Sequence, residues 1–230
     1  DIISLRKKVL LFGVGWSSYH TKVGFLNAYF LKNVLSDSGP HSVRDEYTKK
    51  VLESCGVKNV FNTGCPTMWL LPEKRDELNS IIKPNSVVFT LTNYARSPDR
   101  DTKLIKTLTQ NYDVVYFWPQ SFDDLTYIHE IKAKISFQKI QIVGGSLAEY
   151  TKLLKHNDID YIGTRLHAGI HALNSGRRAI IMAIDNRASE ISKDTNLPIF
   201  FSASDLSLDK FLINQTTFNI SVNQEQKQGF

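Results

Sequence analysis

Tyr161-Ile162-Gly163-Thr164-Arg165-Leu166-His167-Ala168-Gly169-Ile170-His171 changes its period part-way along, and that change decides the fold. Its first residues follow an Asp-containing turn and are apolar, as the end of a short buried strand requires. Residues 168–173 keep helical spacing until Gly176 stops them. A strand that gives way to a helix through one tight turn is the unit from which parallel sheets are built. The turn also brings together a guanidinium and an imidazole. Arg165 is a planar fork for carboxylate or phosphate, and His167 can give or take a proton near neutral pH. N–H groups at the start of the helix add to the attraction for an anion. The same residues admit a structural reading, in which Arg165 pairs with a nearby carboxylate and His167 caps the turn; local pattern leaves both open.

The strand-then-helix pattern recurs on either side. Residues 8–14, 86–91, 114–118, 140–143, 161–163 and 179–184 are short runs rich in Val, Ile, Phe or Tyr and read as strands, the first a buried one ending in Gly13-Val14-Gly15-Trp16. Between them, 101–110, 123–131, 147–155 and 167–174 have helical spacing. Such alternation predicts an α/β fold with parallel sheets covered on both faces. Residues 70–83, with two prolines and a charge cluster, read as a linker, and 214–230, rich in Gln and Asn, as a frayed polar tail.

Composition narrows the function classes. The chain is 42% hydrophobic, enough for a sizeable core, and no apolar run approaches the ~18 residues of a membrane span. The net charge of +5 is mixed with acids along the chain, without the basic stripe interleaved with aromatics that nucleic acids favour. An acidic small substrate or an anionic membrane surface fits it equally well. Cys55 and Cys65 match neither a redox pair nor a zinc site and make a poor disulfide framework, so both read as reduced and cytosolic.

Ligands of open parallel sheets collect at the carboxyl ends of the strands. Those positions hold Trp16, Ser17 and Ser18; Thr92 to Arg96; Pro119 and Gln120; Gly144, Gly145 and Ser146; Arg165 and His167; and Asp185, Asn186 and Arg187. Loops are polar in general, but three separate arginines on them are less usual.

Taken together, Gly13-Val14-Gly15-Trp16, Val43-Arg44-Asp45-Glu46-Tyr47-Thr48, Thr63-Gly64-Cys65-Pro66-Thr67, Gly163-Thr164-Arg165-Leu166-His167-Ala168-Gly169 and Ala183-Ile184-Asp185-Asn186-Arg187-Ala188 resemble, in order and separation, the polysaccharide pyruvyl transferase family. The resemblance implies two Rossmann-like domains facing a cleft, in the manner of GT-B glycosyltransferases. It places an amino-terminal domain at residues 1–72 and a carboxy-terminal domain with a polar tail at 73–230. The family's Gly-Asn-x-Gly-Asp-type loop has no counterpart here, so the amino-terminal domain is expected to be incomplete or shortened. The implied reaction transfers pyruvate from phosphoenolpyruvate to two hydroxyls of a sugar, giving a cyclic ketal during polysaccharide biosynthesis. Phosphoenolpyruvate is the donor substrate, no cofactor is called for, and the acceptor is a sugar or lipid-linked saccharide. The expected setting is cytoplasmic, with the inner face of the membrane compatible.

Phosphoenolpyruvate carries a carboxylate and a phosphate on a short frame, so its site needs cations at fixed separations. Arg165 is the first candidate, with Arg44, Arg96 and Arg187 from other loops. Each of these three has a structural alternative: Arg44 paired with Asp45 or Glu46, Arg96 a solvated charge beside Asp99, and Arg187 paired with Asp185 or Glu190. Ketal formation needs a proton on the methylene carbon, and His167 is the side chain best matched to supply it, or to bind the phosphate as an imidazolium. Asp45 and Asp185 are candidate bases for the acceptor hydroxyl, each with a structural alternative. His171 shares a helical face with His167, but Ala168 stands where a zinc helix carries its acid and no third ligand is in view, so no metal is expected. His20, His41, His129 and His156 read as surface or capping residues. Gly144-Gly145-Ser146 is either a phosphate cradle or a tight turn into the next helix. Two other functions fit the same residues: a nucleotide-sugar-dependent glycosyltransferase of GT-B-like fold, and a non-catalytic sugar- or phosphate-binding partner.

Overall fold

The computed structural model describes residues 3–19, 23–132 and 140–223. In chain order the elements are α1 (Phe25–Val34), β1 (His41–Val43), α2 (Glu46–Ser54), β2 (Val60–Asn62), α3 (Arg75–Ser80), β3 (Ser86–Thr90), α4 (Pro98–Asn111), β4 (Val114–Phe117), α5 (Phe122–Lys132), β5 (Ile140–Ile142), α6 (Leu147–His156), β6 (Asp160–Gly163), α7 (Leu166–Asn174), β7 (Ala179–Met182), α8 (Asn186–Thr195), β8 (Ile199–Phe200) and α9 (Leu206–Leu212). They fall into two compact units. The first comprises residues 1–72, 185–197 and 220–230, and the second 73–184 and 198–219. α8 and residues 220–223 thus group with the first unit although they follow much of the second in the chain.

The second unit holds a six-stranded sheet in the order β5-β4-β3-β6-β7-β8, parallel throughout. The chain starts in the middle with β3, runs outward through β4 and β5, then returns to the other side of β3 with β6. This is the doubly wound, Rossmann-like order, and its direction reverses between β3 and β6. Central strands covered on both faces have no polar side to alternate with, which is why Val87, Val88 and Phe89 are all fully buried, as are Tyr161 and Ile162 opposite them. Leu104, Ile105 and Leu108 bury the inner face of α4, a helix opened by Pro98 at its first position, where no N–H is missed. Gly169 lets α7 lie close on the sheet, since a Cβ there would stand 2.5 Å from Ile181 Cγ1.

The first unit pairs β1 with β2 in parallel and packs Leu35, Val43, Leu52, Cys55, Val57 and Val60 into a small core. Asp45 starts α2, its carboxylate accepting the Thr48 N–H at 2.7 Å. Residues 8–14 depart from the expected buried strand. They touch neighbours through single parallel bridges, Val9 to Leu35 and Val14 to Val43, and leave Leu10 and Phe12 more than half exposed. Side chains have taken over the backbone donors: Leu11 N–H goes to His41 Nδ1 and Gly13 N–H to Ser42 Oγ. His41 is correspondingly not a surface residue but fully buried, and because a carbonyl can only accept, its Nε2–H is fixed on Ser36 O at 2.8 Å. His129 and His156 are exposed; His20 lies outside the described residues.

Two other expectations change. Residues 70–83 are no bare linker, for they hold a 3-10 turn at Leu71–Lys74 and then α3, with Leu71 and Leu78 buried. The expected frayed tail is packed as far as the structure describes it: Phe218, Ile220 and Val222 are buried, and Asn79 clamps the backbone of Phe218 with both its amide atoms. Both cysteines are buried and outside any disulfide, and among the described residues no helix is long and apolar enough to cross a membrane.

Candidate functional site

The strand order of the second unit reverses between β3 and β6, so the loops leaving these two strands border the position where doubly wound sheets bind ligands. They are tied together by short polar contacts. Thr164 N–H reaches Thr90 O, the hydroxyls of Thr92 and Thr164 meet at 2.7 Å, and Arg165 N–H reaches Thr90 Oγ1. Tyr161, wholly buried, donates its hydroxyl proton to Arg165 O at 2.8 Å and meets Thr90 Oγ1 at 2.7 Å. The peptide that carries Arg165 is therefore held on both sides by buried hydroxyls.

Arg165 is the residue before α7, and His167 stands exposed in that helix's first turn, at its positive end. The guanidinium of Arg165 is half-buried and paired with Asp124, Nη2 to Oδ2 at 2.5 Å. Its Nε is buried and meets no acceptor among the described residues, and Tyr94 lies beneath it at 5.6 Å. Asp124, in the first turn of α5, is fully buried and also accepts the N–H of Asn93 at 2.9 Å and of Gln120 at 3.3 Å. One carboxylate thus gathers the loops after β3, β4 and β6. Sequence reading allows Arg165 a carboxylate partner without saying which, and nothing in it singles out Asp124.

Arg96 belongs to the same unit but faces elsewhere. It pairs with Glu130 at 2.8 Å rather than sitting beside Asp99, donates through Nε to Asn93 Oδ1, and stacks on Tyr127. Ser146 caps α6 by accepting Glu149 N–H, while the Glu149 carboxylate accepts the Ser146 hydroxyl, so Gly144-Gly145-Ser146 is a turn into a side-chain-capped helix. His171 turns away from His167 into the protein, with Nε2 on Thr151 Oγ1 at 2.9 Å, and burial pushes its pKa down. Among the described residues no three His, Cys, Asp or Glu side chains are grouped to hold a metal ion.

Arg44 and Arg187 lie in the first unit. The Arg44 guanidinium rests directly on Gly15, where a Cβ would stand 1.9 Å from Nε, and that Nε has no hydrogen-bond partner among the described residues. Asp45 is 3.7 Å away, occupied with capping α2, and burial pushes its carboxyl pKa up against the hydrogen bonds from Thr48. Asn186, unremarked as a site residue in the sequence, donates to Trp16 O and leaves its buried Oδ1 without a partner among the described residues. Arg187 forks onto Asp185 with contacts of 3.0 and 2.5 Å, and Asp185 caps α8.

A model of the polysaccharide pyruvyl transferase family matches residues 2–186, which takes in the Arg165 turn, Asp124, Arg44 and the first residue of α8. The chain belongs to the polysaccharide pyruvyl transferase family. Comparison with curated proteins gives no significant match. Family membership makes this pyruvyl transferase chain a transferase of polysaccharide biosynthesis, with a saccharide as its acceptor. In that light the conspicuous basic side chains divide by place in the fold. Arg165 and His167 stand at the start of α7, where the chain leaves β6, while Arg96 is paired with Glu130 and Arg187 with Asp185 on other loops. A hollow of about 440 Å³ below the opposite, amino ends of the strands also has cations on its wall, but Arg177 is paired with Asp158 and Arg178 with Asp160.

Proposed function

We propose that this protein transfers a pyruvyl group from phosphoenolpyruvate to two hydroxyls of a saccharide, forming a cyclic ketal and releasing phosphate. The observation that carries the reading is the placement of Arg165 and His167 at the turn from β6 into α7, at the point where the strand order reverses. Arg165 supplies a fixed guanidinium for the donor's phosphate or carboxylate, helped by the positive end of α7. His167 protonates the methylene carbon as a sugar hydroxyl attacks the adjacent carbon, and the second hydroxyl replaces the phosphate. The two units then correspond to the halves of a GT-B-like enzyme. Within the first unit taken by itself, Arg44 and Asn186 each leave a buried polar atom without a hydrogen-bond partner among the described residues, and they are that unit's best-supported candidates for touching a substrate. Arg96 and Arg187 are carboxylate-paired, as Arg165 is with Asp124, but neither lies on the β6–α7 turn, which makes them secondary candidates. A cytoplasmic setting fits two buried cysteines that form no disulfide.

The same fold and cations would serve a nucleotide-sugar donor, so the donor decides between the two enzymes. Thermal stabilisation is expected from phosphoenolpyruvate and not from UDP-sugars. Stabilisation by UDP-sugars alone would assign the protein to glycosyl transfer instead.

A further inference from the structure

Asp124 is a fully buried carboxylate whose contacts come from three different loops: Arg165 after β6, the Asn93 N–H after β3 and the Gln120 N–H after β4. We propose that Asp124 is the positioning residue of the donor site, orienting the Arg165 guanidinium for transfer; this rests on the pyruvyl-transfer reading above. A flexible arginine must give up rotamer freedom to bind in one pose. Here the carboxylate fixes Nη2 from one side and the Tyr94 ring lies across the guanidinium at 5.6 Å, so that loss is met before the donor arrives. Nε is buried and has no acceptor among the described residues.

The arrangement carries a cost that makes it testable. A negative charge beside Arg165 weakens its attraction for an anionic donor, so Asp124 opposes ground-state binding while it favours the reactive orientation. Removing the charge and keeping the shape separates the two effects. In Asp124→Asn, kcat is expected to fall at least tenfold, while KM and the dissociation constant for phosphoenolpyruvate stay level or decrease. Combining it with Arg165→Lys should add less than a further threefold, because both changes disturb the same group. Tyr94→Leu, at an exposed ring, removes the other restraint without touching the buried carboxylate and should lower kcat about threefold with an unchanged Tm.

A merely structural role would behave differently. The Tm and the active fraction would fall together at constant KM, the losses in the double variant would multiply, and Tyr94→Leu would match wild type; that pattern overturns the proposal. Wild-type protein that turns over phosphoenolpyruvate while Asp124→Asn equals it in both constants also overturns it, and leaves the function standing. Wild-type protein with no turnover of phosphoenolpyruvate removes the functional reading and this inference with it.

Discussion

Gly163 lies against Thr90 so closely that an added Cβ would stand 2.4 Å from Thr90 Oγ1 and 2.6 Å from its backbone nitrogen. The two residues are the facing last positions of β6 and β3, the pair between which the sheet reverses its order. A backbone atom cannot swing aside as a side-chain tip can. Gly163→Ala should therefore cost about 1–3 kcal/mol through overpacking, and should weaken donor binding because the Arg165 peptide hangs on the same threonine hydroxyl. Chemical denaturation together with donor titration measures both; a stable Gly163→Ala protein with unchanged binding would show that the strands part freely here.

Gly15 offers the opposite case. The atoms that would meet a new Cβ belong to the end of the Arg44 side chain, which can rotate away. Gly15→Ala is expected to change stability by less than about 1 kcal/mol, in keeping with a displaced flexible side chain. If Arg44 binds substrate, turnover should fall by tenfold or more, as for loss of a charge-assisted hydrogen bond. Kinetics beside a melting curve checks this, and normal turnover would remove Arg44 from the site.

Asp160 and Arg178 make a buried pair at 3.3 Å, with the Tyr112 hydroxyl on the same carboxylate at 2.6 Å. Burial pushes the Asp160 pKa up to about 7, against the pull of Arg178. The folded protein then holds a proton that the unfolded chain has released, so this group's contribution to stability should decline as pH rises from about 4 through about 7. Denaturant midpoints across that window should show a slope that Asp160→Asn flattens. Asp160→Ala, which leaves the guanidinium buried without its carboxylate, should lose about 3–5 kcal/mol.

Tyr161→Phe removes the hydroxyl that steadies Arg165 O and Thr90 Oγ1. Leaving a buried carbonyl without its donor costs about 1–3 kcal/mol, and the loss should appear in the Tm and in a looser Arg165 turn. Hydrogen exchange at the amides of 164–167 reads the turn directly; unchanged exchange would show that the hydroxyl only fills space.

Much of the second unit was legible in the sequence because its central strands are continuous apolar runs and the segments between them keep helical spacing. The β6–α7 turn shows itself by the switch of period between Gly163 and Ala168. Residues 8–14 misled because composition alone cannot reveal that His41 and Ser42 take their N–H groups, or that Leu10 and Phe12 face outward. The tail did carry a signal, since Phe218, Ile220 and Val222 alternate with polar residues, but the abundance of Gln and Asn around them obscured it. Asp124 had none. Its importance comes from three loops distant in sequence meeting at one carboxylate, and only the folded sheet supplies that.

The central claim is that the Arg165 turn binds phosphoenolpyruvate, and calorimetric titration of the donor into wild-type, Arg165→Ala and His167→Gln proteins tests it most directly. The account predicts saturable binding by the wild type, at least tenfold weaker binding by Arg165→Ala, and little change for His167→Gln, whose defect should lie in turnover. Equal affinity in wild type and Arg165→Ala, with both still folded, would contradict it.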